Sequence, residues 1–242
     1  MSSTTSRLDS YDAVLFDLDG VITPTAEVHM RAWTVLFDSV LQARGVTAPY
    51  TDADYFAHVD GKPRYDGVRD FLASRGIELP EGSPQDAGDV ETVSGLGNRK
   101  NDVFAGILRT DGVQAYPGSM RLLEQLATAG TAVAVVSSSR NARAVLEAGG
   151  IVDQFDVVVD GVVAAEHGLS GKPAPDTFLD AARQLGAEAD RCVVVEDAVS
   201  GVVAGHAGGF GLVVGVDRGA GVAALQGAGA DLVVRDLAEL LA

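Results

Sequence analysis

The chain has 242 residues, of which 47% are hydrophobic and 21% are charged, and its formal net charge is -16. This composition is typical of a globular protein, and the length allows one large domain or a core with an inserted second domain. The acidic balance excludes a nucleic-acid-binding protein, which needs a basic surface. The single cysteine, Cys192, excludes an internal disulfide bond.

Neither a signal peptide nor a membrane-spanning segment is expected. The first residues, Met-Ser-Ser-Thr-Thr-Ser, contain no apolar region of the signal-peptide kind. No apolar run approaches the roughly 18 residues that a spanning helix needs. We therefore expect a cytoplasmic location. We also expect a monomer whose partners are small molecules rather than nucleic acid or membranes.

Short apolar runs rich in β-branched residues alternate with helix-like segments along most of the chain. Strands buried on both faces have near-continuous apolar sequences, and their alternation with helices is typical of a doubly wound α/β fold. We therefore predict a parallel-sheet, Rossmann-like core. The predicted strands are Ala13–Phe16, Ala132–Val136, Val157–Val159, Cys192–Val195, Leu212–Val216 and Leu232–Val234. The predicted helices are Ser119–Ala129, Asn141–Ala148, Pro175–Leu185 and Ser200–Ala207.

The segment that follows the first strand has a different pattern. From Glu27 to Arg109 there is no Val-rich run, and both His29–Ala43 and Asp66–Arg75 have helical periodicity. We predict a mostly helical domain at residues 27–109, inserted into a core formed by residues 1–26 and 110–242. The glycines and proline of Asp111–Gly118 predict a hinge where the chain returns to the core.

Two carboxylates follow the first predicted strand. Asp17 and Asp19 are two residues apart, so their side chains can point the same way at the carboxyl edge of the sheet, where ligands bind in such folds. Gly20 allows a sharp turn directly after them. Two adjacent acids repel unless a cation neutralises them. A solvated strand end is the competing interpretation of this short motif.

Three further groups follow other predicted strands. Glu196 and Asp197 end the Cys192 strand, and four carboxylates at two strand ends suit an oxygen-ligated Mg²⁺ ion. Ser137 begins a serine-rich turn before a helix, where hydroxyls and amides can bind phosphate, although such serines also serve as helix caps. Lys172 precedes another helix. It is either a solvated charge or a cation that balances the negative charge of the transition state.

This ordered set resembles the haloacid dehalogenase-like superfamily over nearly the whole chain. The resemblance implies that Asp17 attacks phosphorus to form an aspartyl-phosphate, that Asp19 acts as general acid and base, and that Ser137 and Lys172 hold the phosphoryl oxygens. The dehalogenase branch is metal-free, so the acid pair argues against that branch. The implied Mg²⁺ ligands, direct or through water, are Asp17, the backbone carbonyl of Asp19, Glu196 and Asp197.

The insertion is similar to the cap domain of the superfamily's sugar phosphomutases. Thr23–Trp33 resembles the hinge and first cap helix, with Pro24 where the family commonly has an acid. Gly61–Arg64 resembles a loop whose arginine binds the phosphate that is not transferred. In the core, an arginine replaces the usual lysine of the pattern Ser-x-Ser-Lys-Asn. The implied substrate contacts are His29, Trp33, Gly61, Lys62, Arg64, Lys100, Ser139, Arg140 and Asn141, although Trp33 also suits the core of the cap.

The resemblance implies interconversion of β-glucose 1-phosphate and glucose 6-phosphate, with β-glucose 1,6-bisphosphate as intermediate and activator. A sugar-phosphate phosphatase of the same superfamily is the alternative, because water can also accept the phosphoryl group. Arg64 and the segment Arg99–Asn101 favour the mutase, since a phosphatase need not hold a second phosphate. A catalytically inactive sugar-phosphate-binding protein is a third alternative, against which the intact Asp17, Asp19 and Lys172 argue.

Overall fold

Six short strands pair into one parallel sheet in the computed structural model, which describes residue 8 and residues 10–241. Their order across the sheet is β3-β2-β1-β4-β5-β6. The chain therefore reverses its direction of growth between β1 and β4, the place where doubly wound folds bind ligands. The strands are β1 (Ala13–Phe16), β2 (Ala132–Val136), β3 (Val157–Val159), β4 (Cys192–Glu196), β5 (Leu212–Val216) and β6 (Leu232–Val234).

The predicted doubly wound α/β fold is confirmed. The predicted strands are all present, and β4 is one residue longer than predicted because Glu196 still pairs with Gly215. The central strands β1 and β4 are buried along their whole length. The apolar runs Ala13–Phe16 and Cys192–Val195 require this burial, and the charged Glu196 at the end of β4 is buried with them. Side chains of these strands and of the helices packed on them form a hydrophobic core.

The chain divides into two compact units, which we call the core unit, Met1–Pro24 with Val113–Ala242, and the helical unit, Thr25–Gly112. Residues 1–7, 9 and 242, which the predicted core includes, lie outside the described residues. The helices of the helical unit are α1 (Thr25–Ala43), α2 (Asp52–His58), α3 (Arg64–Ser74) and α4 (Val93–Asp111). Those of the core unit are α5 (Pro117–Ala129), α6 (Ala142–Ala148), α7 (Gly161–Glu166), α8 (Asp176–Leu185), α9 (Val199–Ala207) and α10 (Val222–Gly227).

The helical unit has an aromatic core of its own. The ring of Phe37 lies 5.1 Å from that of Trp33, 5.0 Å from that of Tyr50 and 4.1 Å from that of Phe71, measured between centroids. Such offset and tilted aromatic pairs stabilise a core beyond their buried area. This packing fixes α1 and α3, the helices that carry His29, Trp33 and Arg64.

The segment predicted as a hinge, Asp111–Gly118, contains the end of one helix, a short irregular stretch and the start of the next helix. The helix α4 continues to Asp111 and ends at Gly112, whose φ of 73° suits glycine. Helix α5 begins at Pro117, since proline at the first helical position has no N–H to leave unpaired. Residues 112–116 between them form neither helix nor strand. Among the described residues, no helix is both long enough and apolar enough to cross a membrane.

Candidate active site

The carboxyl ends of β1 and β4 bring three carboxylates together. Phe16 pairs with Val195, and the N–H of Asp17 donates to the carbonyl of Val195 at 2.9 Å. Asp17 therefore lies beside Glu196, the last residue of β4. One carboxylate oxygen from each of Asp17, Glu196 and Asp197 lies within 4.8 Å of the other two. The two strand ends thus form one acidic cluster.

Lys172 lies inside this cluster. Its Nζ atom donates to Oδ1 of Asp17 at 2.5 Å, to Oε1 of Glu196 at 2.5 Å and to the carbonyl of Val136 at 3.0 Å. The side chain is only 2% exposed. The alternative of a solvated loop lysine is therefore wrong, because three acceptors hold this ammonium group in the interior.

Burial and charge set the protonation of Asp17 and Lys172. Burial raises the pKa of Asp17 well above its usual value, the nearby Glu196 and Asp19 raise it further, and Lys172 opposes this. Burial by itself lowers the pKa of Lys172, but the carboxylates of Asp17 and Glu196 outweigh it and raise that pKa. Lys172 is therefore a permanent cation, and Asp17 gains its charge most easily when further positive charge is near.

The cluster has the chemistry of a hard-cation site. Its donors are carboxylate oxygens, which Mg²⁺ and similar ions prefer, and they outnumber the single ammonium group among them. The two oxygens of Glu196 already accept hydrogen bonds, Oε1 from Lys172 and Oε2 from the N–H of Ala198 at 2.8 Å. A metal ion bound directly by Glu196 would therefore share its oxygens with these two donors.

Gly20 gives Asp197 room beside the turn that follows Asp17. Its φ is +82°, and a Cβ atom at this position would lie 1.8 Å from Oδ2 of Asp197. The N–H of Gly20 donates to the carbonyl of Thr23 at 2.7 Å, which closes the turn directly after Asp19. The half-buried Asp19 is thereby held at the same edge of the sheet as Asp17.

Ser137 lies at the next strand end. Phe16 pairs with Val135, so Asp17 lies beside Val136, the last residue of β2. Ser137 directly follows Val136. Its buried Oγ accepts from the N–H of Ser139 at 3.1 Å. The Oγ of Ser139 accepts in turn from the N–H of Asn141 at 3.2 Å. The serines thus shape the turn before α6, and Arg140 within it is exposed.

In the helical unit, Lys100 is 3% exposed and bonds to Nδ1 of His29. Its Nζ atom lies 4.7 Å from the centroid of the Phe104 ring and 5.1 Å from that of Trp33. Since Nδ1 faces an ammonium donor, a neutral His29 carries its proton on Nε2. Trp33 is buried in the aromatic core of the helical unit. This agrees with the alternative interpretation that Trp33 is a core residue.

Arg64 begins α3, and its guanidinium group is oriented by two amide side chains. It donates to Oδ1 of Asn101 at 3.0 Å and to Oδ1 of Asn98 at 3.3 Å. Lys62, two residues earlier, forms an ion pair with Asp70 at 2.7 Å. Gly61 precedes it with a φ of +68°, a value that favours glycine.

The sequence interpretation missed Arg218. Its Nε donates to the carbonyl of Gly20 at 2.9 Å and its NH1 donates to the carbonyl of Arg235 at 2.9 Å. The guanidinium carbon lies 4.0 Å from the centroid of the Tyr116 ring. Arg218 thus fixes the turn after Asp19. Its position two residues after β5, at the same sheet edge as the carboxylates, could have identified it from the sequence.

Comparison with known proteins gives consistent matches. The family model of the haloacid dehalogenase-like hydrolases matches residues 11–209. The chain is 53% identical over 238 residues to the β-phosphoglucomutase of Mycobacterium tuberculosis (strain CDC 1551 / Oshkosh), covering 95% of this chain and 91% of the relative. It is 35% identical over 229 residues to the β-phosphoglucomutase of Bacillus subtilis (strain 168), covering 94% and 91%. The crystal structure of β-phosphoglucomutase from Clostridium difficile superposes with a TM-score of 0.77 at 26% identity, covering 96% and 93%.

Proposed function

Since this chain belongs to the haloacid dehalogenase-like hydrolase family, we propose that it acts as a β-phosphoglucomutase. The reaction is the interconversion of β-D-glucose 1-phosphate and D-glucose 6-phosphate through β-glucose 1,6-bisphosphate. The observation that carries the proposal is the 53% identity to the M. tuberculosis enzyme over 95% of this chain. The cluster of the buried Asp17, Lys172 and Glu196 with the half-buried Asp197 supports it, because phosphoryl transfer needs a nucleophile among compensating charges.

Asp17 is the phosphoryl carrier in this proposal. A carboxylate oxygen of Asp17 attacks phosphorus, the bond from phosphorus to the sugar oxygen breaks, and Asp19 gives that oxygen its proton. In the return step Asp19 removes the proton from a sugar hydroxyl, which attacks the phosphorus and releases Asp17. A covalent carrier lets one site serve both sugar oxygens in turn.

Lys172 and Ser137 hold the transferring group. The Lys172 ammonium, already bonded to Asp17, reduces the repulsion between the carboxylate and the anionic phosphate. Ser137 offers a hydroxyl at the neighbouring strand end. A Mg²⁺ ion held by Asp17, the Asp19 carbonyl and Asp197, with Glu196 directly or through water, would supply further positive charge against the phosphoryl oxygens.

A mutase must also hold the phosphate that is not transferred. We assign this task to Arg64, whose planar guanidinium group can grip phosphate with two hydrogen bonds. Further contacts with the sugar and its phosphates are assigned to His29, Trp33, Gly61, Lys62, Lys100, Ser139, Arg140 and Asn141. Among these, Lys62 is restrained by its ion pair with Asp70, and Trp33 contributes through the packing of Lys100.

The test is the fate of β-glucose 1-phosphate in the presence of Mg²⁺ and a trace of β-glucose 1,6-bisphosphate. The proposal predicts glucose 6-phosphate, detected by a coupled dehydrogenase, and little turnover of α-glucose 1-phosphate as control. Stoichiometric release of glucose and inorganic phosphate would instead establish the alternative, a sugar-phosphate phosphatase with the same core residues.

A further inference from the structure

Asn98 lies on α4, three residues before Asn101, and both side chains face Arg64. Residues three apart lie on the same face of a helix, so one helix presents two amide oxygens to one guanidinium group. The distances are 3.3 Å from NH1 of Arg64 to Oδ1 of Asn98 and 3.0 Å from NH2 to Oδ1 of Asn101. Arg64 is therefore held at two of its nitrogen atoms.

The orientation of the Asn98 amide is determined by the loop before α4. Its Nδ2 donates to the carbonyl of Pro84 at 3.1 Å and to the carbonyl of Asp86 at 2.8 Å. Because both donor hydrogens are used on this side, Oδ1 must point to the other side, towards Arg64. The hydroxyl of Tyr65 donates to the same oxygen at 3.0 Å. All polar atoms of the amide thus have partners.

The loop that contacts Asn98 is itself restrained by hydrogen bonds. The carboxylate of Asp86 accepts from the N–H of Ser83 at 3.0 Å and from the hydroxyl of Thr92 at 2.6 Å. These bonds lower the pKa of Asp86, so it stays charged and keeps both donors. Thr92 also caps α4 by accepting from the N–H of Gly95. The polar loop and the start of α4 are therefore joined by hydrogen bonds, and the loop carbonyls in turn hold the Asn98 side chain.

The chemistry of the two acceptors matters because of charge. Several cations of the helical unit form ion pairs with carboxylates, among them Lys62 with Asp70, Arg69 with Glu81 and Arg75 with Asp54. An amide oxygen accepts a hydrogen bond from a guanidinium group without neutralising it, whereas a carboxylate would compete with a phosphate for the same hydrogens. The contacts with Asn98 and Asn101 thus orient Arg64 without themselves neutralising its charge.

We propose that Asn98 is a positioning residue for anion binding by Arg64. It holds the guanidinium group in one orientation through a neutral contact, so that Arg64 meets the second phosphate of a sugar bisphosphate at little entropic cost. The inference rests on the proposed function, in which Arg64 grips the phosphate that is not transferred.

The experiment compares variants of the full chain, with Asn98→Asp as the sharpest change. A carboxylate of nearly the same shape would pair with Arg64 and repel phosphate. The Michaelis constant for β-glucose 1-phosphate should rise about tenfold or more, the scale of a charged hydrogen bond. Hydrolysis of p-nitrophenyl phosphate, which has one phosphate, should change less than about twofold. Tyr65→Phe is the matched control, because it removes the other donor to Oδ1 and leaves Arg64 in place.

Asn98→Ala is the second variant, for use if the aspartate variant does not fold. It is also combined with Arg64→Ala in a double-mutant cycle. We expect Asn98→Ala to raise the Michaelis constant in the wild-type background and to have no further effect when Arg64 is absent. Equal effects in both backgrounds, or no effect of either Asn98 variant while Arg64→Ala is severe, would overturn the positioning role alone. No effect of Arg64→Ala would instead remove the second-phosphate assignment in the proposed function.

Discussion

Lys172 donates a hydrogen bond of 2.5 Å to the Asp17 carboxylate, and both side chains are almost fully buried. The two residues are separated by 155 positions in the sequence. Their contact exists because β1 ends where the segment before α8 returns to the carboxyl edge of the sheet. The same ammonium group also bonds to Glu196, so one cation stabilises two buried carboxylates before any substrate is present.

Lys172→Met should damage both catalysis and stability. Without the ammonium group, two buried carboxylates lose their partner, which costs about 3–5 kcal/mol when a buried ion pair is broken from one side. The turnover number should fall about 10²–10³-fold, as for the loss of one oxyanion donor. Steady-state kinetics and urea unfolding measure these effects. Arg191→Met, which breaks the exposed pair with Asp12, is the control and should change stability little. A Lys172 variant of wild-type stability would contradict the account.

Glu196→Gln and Asp197→Asn should separate two roles within the acidic cluster. Both oxygens of Glu196 are already engaged, by Lys172 and by the N–H of Ala198, so its change should act mainly through Lys172 and lower the turnover number. Asp197→Asn should weaken Mn²⁺ binding about 10-fold or more, a change that electron paramagnetic resonance can measure without substrate. Equal weakening of Mn²⁺ binding by both variants would show that Glu196 is an equivalent ligand.

Gly20→Ala should disrupt the turn that follows β1 and Asp17. A Cβ atom would overlap Oδ2 of Asp197, and the φ of +82° is unfavourable for alanine by about 1–2 kcal/mol. Displacement of Asp197 by an ångström should lower turnover about 10²-fold. Gly227→Ala is the matched control, since no heavy atom lies within 4 Å of its Cβ position, and in helix α10 it should be neutral or stabilising. Similar losses in both variants would argue against a special role for Gly20.

Cys192 should make stability fall at alkaline pH. Burial, together with the nearby Asp12 and Asp190, raises the pKa of its thiol from 9.0 to about 11. The folded state therefore keeps the proton that the unfolded state loses above pH 9, so the thiol's contribution is present below that pH and is lost as pH rises through 11. Between pH 8 and pH 11, the free energy of unfolding measured in urea should fall by about 2 kcal/mol more for wild type than for Cys192→Ala. Parallel pH profiles of the two proteins would exclude this contribution.

The strands could be predicted because each carries its own signal. A run such as Ala132–Val136 is apolar and β-branched throughout, so its sequence alone indicates a buried strand. The helix α4 (Val93–Asp111) was not predicted, since Gly95, Gly97 and Gly106 lower its helical propensity and its packing against α1 and α3 must compensate. The order of strands was also not predicted, because local sequence does not specify which strands become neighbours.

The site was predictable to a different degree at each residue. Asp17, Glu196 and Asp197 follow apolar runs, so the fold class already places them at one edge. Lys172 has no such local signal, and its placement depended on the family resemblance. The contacts made by Asn98 and Arg218 had no prediction, because hydrogen bonds to the carbonyls of distant loops depend on how those loops return in space.

The most direct test of the account follows a labelled phosphoryl group from β-glucose 1,6-bisphosphate in a rapid-quench experiment with Mg²⁺. The label should first appear on the tryptic peptide of residues 8–31, at Asp17, and then move to a sugar monophosphate when β-glucose 1-phosphate is added. Asp17→Asn should acquire no label. Label that passes directly to inorganic phosphate, or that is found on Asp17→Asn as on wild type, would contradict the claim that Asp17 carries phosphate from one sugar oxygen to another.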